Sequence, residues 1–208
     1  MTIVTNQTFN EDLQTLKTVI DPHKSIVLDV ETNGLDSYNS NQICGVGLGE
    51  PKSNGLLQYY PFRHHQGENL DPDYLKELIT YLNSLDTFIG YNIKFDLHFL
   101  TSDGLDTTNK KLSDVIVMVR LIEHSDTREL ALTPTGARHY GEEAVQYDID
   151  TKKELRTNKW NKDFSLAPAE FLGDYCKKDV GLTAKLYENV LQTIKNTHQE
   201  DIFKLECD

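Results

Sequence analysis

Only three cysteines occur in the chain, Cys44, Cys176 and Cys207, and no two of them are close in sequence. That excludes a disulfide framework and the close-paired spacing of a zinc site, and leaves reduced, buried or idle thiols. Long apolar runs are missing too: none approaches the ~18 residues of a membrane span, so no membrane partner is expected. The opening Met1-Thr2-Ile3-Val4 has neither the basic stretch nor the apolar core of a secretory signal, so the expected location is the cytoplasm. Positive charge is scarce, with 21 Lys and Arg against 33 Asp and Glu and a net charge of −12. Such a surface repels polyanions, so any contact with one is confined to a small site, and a protein that coats long duplex is excluded. There is no internal repeat, no low-complexity tract and no twelve-residue calcium loop.

What is present is the composition of one soluble domain over residues 1–208, with 38% hydrophobic and 26% charged residues. Leu13, Leu16, Val19 and Ile20 recur at helical spacing before Pro22 closes the element. Ser25 to Val30 is a short β-branched run, and Gln42 to Leu48 and Leu56 to Phe62 read as two further strands across the turn-forming residues 50–55. Together they predict a three-stranded antiparallel meander. Asp71-Pro72 caps a helix through Leu82, and Thr87 to Gly90 is a short strand expected to join the sheet in parallel by a right-handed crossover. Helices follow from Asn92 to Asp103, from Asp114 to Ile122 and from Pro168 to Ile194, the last with possible kinks at Gly173 and Gly181. Residues 133–160 are polar, with little periodicity. The fold class is therefore α/β, a mixed sheet flanked by helices.

Three short segments carry candidate chemistry: Asp29-Val30-Glu31, Asn92 to Asp96, and Tyr175-Cys176-Lys177-Lys178-Asp179. Strand alternation turns Asp29 and Glu31 to one face and Val30 to the other. A spacing of four puts Tyr175 and Asp179 one turn apart on one helical face. Asp96 lies near a helix start. Four carboxylates crowded together repel and take up protons unless hard divalent cations neutralise them, and oxygen ligands favour Mg²⁺ or Mn²⁺. Two such ions ~3.5 to 4 Å apart can stabilise the attacking and leaving oxygens of an in-line displacement at phosphorus. A tyrosine of ordinary pKa ~10 then serves by orienting the water rather than by removing its proton.

Val27 to Asp36, Gly90 to Asp96 and Tyr175-x-x-x-Asp179 resemble the three exonuclease motifs of the DEDD superfamily, tyrosine subclass, most closely the proofreading domain of family A DNA polymerases. The resemblance runs from about Ser25 to the end. It implies a ribonuclease H-like fold, two divalent metal ions and release of nucleoside monophosphates from the 3′ end of single-stranded DNA. By position, Asp29, Glu31 and Asp179 would hold the first metal, Asp29 would be shared with the second, Asp96 would act through its waters, and Tyr175 would orient the nucleophile. Thr32, Leu35 and Asn92 fall where the family contacts the strand. Leu35 is either a wedge against the terminal bases or a buried turn leucine, and Asn92 either a strand contact or a helix N-cap.

Arg138 falls where related domains often carry a phosphate-contacting arginine, but the local match is loose and it is read as a surface arginine. Lys152, Lys153, Arg156, Lys159 and Lys162 surround Trp160, a pattern that suits base stacking on single strands or a solvated loop with one tucked-in tryptophan. Asp114 reads as a helix cap and His64-His65 as solvated loop histidines. Residues 197–208 resemble the start of a connection to a polymerase domain, so a polymerase domain or subunit is an expected partner. Two alternatives stay open: an exoribonuclease of the ribonuclease D type, and a non-catalytic nucleic-acid-binding domain of a polymerase assembly.

Overall fold

The computed structural model describes residues 3–38, 40–123, 129–199 and 201–203. Helix α1 (Phe9–Ile20) precedes strands β1 (Ser25–Thr32), β2 (Ile43–Gly49) and β3 (Leu57–Pro61), which form the antiparallel meander that the alternating apolar runs predict. Helix α2 (Pro72–Asn83) leads to β4 (Thr87–Gly90), which pairs with β1 in parallel. After α3 (Ile93–Ser102) comes β5 (Lys111–Asp114), also parallel to β4, giving the sheet order β3-β2-β1-β4-β5. Helices α4 (Val115–Ile122), α5 (Leu132–Tyr140), α6 (Gln146–Thr157) and α7 (Ala169–Asn196) complete the domain.

The two faces of β1 are divided by its alternation. Ile26, Leu28 and Val30 pack with α1, α2 and α3 in one apolar cluster, while Val27 turns the other way to join Ile89 and residues of α4 and α7. Asp29 and Glu31 share the face of Val27 and look toward α7, which crosses β1, β2, β3 and β4. Each fully buried aliphatic side chain contributes about 1.5 to 3 kcal/mol, and this double layer of apolar contacts clamps the acidic end of β1 against the part of α7 that carries Asp179. Helix α7 runs unbroken for 28 residues through Gly173 and Gly181. Gly173 has a packing reason instead: a Cβ there would lie 2.7 Å from the ring of Tyr59.

Several local expectations need correction. Strand β5 was not anticipated, because four edge residues carry too little pattern, and residues 133–160 fold into α5 and α6 rather than staying irregular. His64 is not solvated: it is buried, with its ring bonded to the Tyr59 hydroxyl at 2.8 Å and the Ala167 carbonyl at 2.9 Å. Burial lowers its pKa, keeping the ring neutral. Asp114 caps α4 through Ile116 N–H, as expected, and also accepts from the backbone of Asn92 at 2.9 Å. Among the described residues no helix is long and apolar enough to cross a membrane. Cys207 lies outside the described residues, as does part of segment 197–208.

Candidate active site

Strands β1 and β4 run in parallel, but their pairing ends at Val27↔Ile89, so β1 continues past its neighbour. The chain leaves β1 toward β2 and leaves β4 toward α3 and β5, so the carboxyl ends of these parallel strands lie at a switch point, the place where α/β sheets bind ligands. Asp96, in the first turn of α3, fills that edge: its Oδ1 accepts the backbone N–H of Val30 at 2.9 Å, and only 3% of the residue is exposed. A carboxylate at a helix N-terminus also meets the positive end of the helix dipole. The bond to Val30 explains how a residue 66 positions away along the chain is set beside Asp29 and Glu31.

From the opposite side, α7 brings Tyr175, Cys176 and Asp179 onto the same place. Asp29, Glu31 and Cys176 each direct a donor atom into one group whose atoms lie within 4.8 Å of each other. The Cys176 thiol donates to Asp29 Oδ2 at 3.2 Å, so this cysteine is buried but not idle. Asp179 Oδ1 accepts from the Tyr147 hydroxyl at 2.6 Å, and Tyr175 donates to Asp148 Oδ1 at 3.0 Å. The rings of Tyr147 and Tyr175 lie 6.2 Å apart.

The electrostatics are those of an acid cluster with too little positive charge. Burial pushes Asp29 up to about 6, only partly opposed by the thiol hydrogen bond. Burial first and the charge of Asp29 second push Asp179 up to about 8, despite the hydroxyls of Tyr147 and Tyr175. Glu31 and Asp96 are raised well above the ordinary carboxylate range by burial and by the neighbouring acids. Glu31 is only 4% exposed, and among the described residues no hydrogen bond lowers its pKa. Four carboxylates of this kind, buried and mutually repelling, fit a hard divalent cation, with the Cys176 thiol beside Asp29 and Glu31. The tyrosine hydroxyls are driven further from ionisation by burial and the surrounding acids, so Tyr175 stays a neutral phenol.

The four carboxylates and Tyr175 singled out from the sequence are therefore brought together. The family model for the 3′-5′ exonuclease domain of family A DNA polymerases matches residues 2–195. The chain belongs to that family. This exonuclease domain is 27% identical over 172 residues to DNA polymerase I of Synechocystis sp., covering 80% of the chain and 16% of the relative. It is 25% identical over 204 residues to the DNA-directed DNA polymerase of Pseudomonas phage M6, covering 88% and 29% respectively. The chain thus spans less than a third of the length of these relatives. Among solved structures it is similar to Brucella melitensis NrnC, with a TM-score of 0.57, 16% identity and coverage of 89% of this chain and 83% of that one. It is also similar to the catalytic core of RRP6 from Trypanosoma brucei, with a TM-score of 0.59, 16% identity and coverage of 95% and 48%. Both likenesses support the ribonuclease H-like exonuclease fold. The domain is a nuclease of the DEDD type acting in the 3′-5′ direction.

The remaining sequence candidates divide. Leu35 is 86% exposed, so it is not a buried turn leucine. It lines a groove of about 290 Å³ together with Tyr38, Asn92, Lys94 and His98. Asn92 does not cap α3 with its side chain, because its backbone is left-handed at φ 61°, and Asp114 holds its N–H. Thr32 is buried and donates to the Gly34 carbonyl at 2.6 Å, bracing the turn that presents Leu35. Arg138 is engaged with Glu123 at 2.8 Å, the Glu129 carbonyl and Thr135. Trp160 packs edge-on against Phe171 in a small apolar cluster, the tucked-in alternative. Sequence reasoning missed Tyr147 and Asp148, which lie in the stretch without periodicity. It passed over Cys176 as a mere thiol, although its place between Tyr175 and Asp179 marked it as a neighbour.

Proposed function

We propose that this domain removes nucleoside monophosphates from the 3′ end of single-stranded DNA with two bound Mg²⁺ or Mn²⁺ ions, and that it proofreads for a DNA polymerase domain or subunit. The observation that supports the reading is the meeting of Asp29 and Glu31 with α7 in one group, with Asp96 bonded to the Val30 N–H beside them and Asp179 close enough for its pKa to be raised by the charge of Asp29. Asp29, Glu31 and Asp179 would hold the first ion, Asp29 would also face the second, and Asp96 would act through bound water. The ions supply Lewis-acid stabilisation of charge at phosphorus and acidify the attacking water. Tyr175, neutral at any working pH, orients that water and does not deprotonate it.

The groove beside Leu35 offers an exposed leucine, an exposed tyrosine and Lys94 for a terminal base and its phosphate. Apolar wedges and aromatic faces grip bases without reading sequence, and each stacked base contributes about 1 to 3 kcal/mol. With a net charge of −12, the grip is restricted to a few terminal nucleotides. A frayed or mismatched end fits that requirement better than intact duplex does. DNA is favoured over RNA by the polymerase relatives, although one structural neighbour is described as the RNase domain of yeast Pop2.

Digestion of end-labelled single-stranded, duplex and mismatched DNA and matched RNA, with Mg²⁺, Mn²⁺ or chelator, tests the proposal. Mononucleotides are expected from the 3′ end, faster from single-stranded and mismatched DNA, and none in chelator. Faster loss of the RNA overturns the substrate, and metal-independent release overturns the mechanism.

A further inference from the structure

The hydroxyl of Tyr175 is not free. It donates to Asp148 Oδ1 at 3.0 Å, and Asp148 is 3% exposed. The other oxygen, Oδ2, is taken by Thr133 Oγ1 at 2.7 Å and by Lys152 Nζ at 2.8 Å. One carboxylate therefore ties α5, α6 and α7 together. Three donors on a buried carboxylate make a stiff anchor, because any displacement breaks a charge-assisted bond where little water can replace it. Tyr175 also faces Asp179 and helps to hold that acid's pKa down, but the bond its hydroxyl makes at 3.0 Å is to Asp148 Oδ1, and Asp179 Oδ1 receives the Tyr147 hydroxyl at 2.6 Å. The arrangement is reciprocal: α6 gives a tyrosine to an acid of α7, and α7 gives a tyrosine to an acid of α6.

A phenol has one proton and otherwise only lone pairs. With the proton committed to Asp148, Tyr175 Oη can only accept from a group in the crevice. A water that donates to Oη keeps a lone pair free to attack, whereas a phenol proton turned into the crevice would bond to that lone pair and blunt it. We propose that Asp148 is a positioning residue that fixes Tyr175 as a hydrogen-bond acceptor toward the attacking water. The inference rests on the role given to Tyr175 under Proposed function. Lys152 sets the polarity: in Asp148→Asn the amide oxygen is drawn to the ammonium, the NH₂ faces Tyr175, and the phenol proton is forced into the crevice.

The test is a double-mutant cycle with Asp148→Asn, Tyr175→Phe and both together. Single-turnover and steady-state rates are measured on end-labelled single-stranded DNA at saturating Mg²⁺. Asp148→Asn is expected to lower kcat about 10- to 100-fold with KM little changed, and to have no further effect once Tyr175 is Phe. Thr133→Val, which removes one bond on Oδ2 at the edge of the cluster, is expected to give a smaller kcat loss that also vanishes in Tyr175→Phe. It keeps the test open should Asp148→Asn not fold. Parental kcat in a folded Asp148→Asn, or losses that multiply fully with Tyr175→Phe, overturn the inference while leaving the exonuclease reading intact. A parental rate in Tyr175→Phe alone overturns both the inference and the role of Tyr175, and a parent protein without hydrolysis overturns both the inference and the proposed function.

Discussion

Gly47 sits beneath the candidate active site, and replacing it with alanine should separate the carboxylates. It is the register partner of Asp29 on β2, so a Cβ there points at α7, as Asp29 does. That Cβ would lie 2.5 Å from Cys176 Sγ and 2.9 Å from Val180 Cγ2. Normal contact begins near 3.5 Å, so α7 must retreat by about 1 Å at the turn that holds Asp179. Both neighbours are fully buried, so rotamer changes offer little relief. Overpacking of this size costs about 1 to 3 kcal/mol, which for a domain of this length lowers Tm by about 2 to 12 °C. Misplacing a metal-binding carboxylate by about 1 Å is expected to cost ~100-fold in rate. The assay is mononucleotide release from single-stranded DNA beside a thermal melt. Cys176→Ala in the same chain removes the closer clash and leaves Val180, so it should restore part of the lost Tm. Unchanged rate and Tm in Gly47→Ala would refute the argument that contact between β2 and α7 sets the carboxylate spacing.

Stability in chelator should fall with rising pH. An acid whose folded pKa is raised still holds its proton where the unfolded chain has released it, so ionisation opposes folding across the window from 3.8 to about 6 for Asp29 and to about 8 for Asp179. A melt series from pH ~4 to ~8 should show decreasing Tm, less steep with Mn²⁺ bound; a Tm that climbs across that range contradicts the assigned repulsion. Asp29→Ala should abolish Mg²⁺-dependent release while the protein stays folded, and its Tm at pH ~8 without metal should equal or exceed the parent's, since a repelled buried charge is gone. Residual activity at the parental level would remove Asp29 from the chemistry. Leu35→Ala, at a side chain 86% exposed, should leave the stability within about 0.5 kcal/mol of the parent's and raise KM for single-stranded DNA; an unchanged KM would end the wedge role.

The local geometry of the site was legible because it follows from backbone periods. Asp29 and Glu31 share a strand face and Tyr175 and Asp179 a helix face, and the structure places both pairs in that way toward the crevice. Helix α6 was not legible. Its buried residues are Asp148 and Leu155 alone, so it is held by one apolar and one polar anchor and carries no apolar stripe to read. His64 was misjudged for a related reason: a histidine with partners 5 and 103 residues away looks the same in sequence as a solvated one.

Composition, charge and the spacing of residues within single strands and helices needed only the chain, because covalent geometry fixes which neighbours in sequence face the same way. The meeting of β1, α3 and α7 at one crevice, the donation of Tyr175 to Asp148 and the thiol against Asp29 were settled by tertiary packing. Their partners lie 27 to 147 residues apart, and bonds over such distances leave no period in the sequence; they exist only once the apolar faces of the sheet have been covered and the helices have nowhere else to lie.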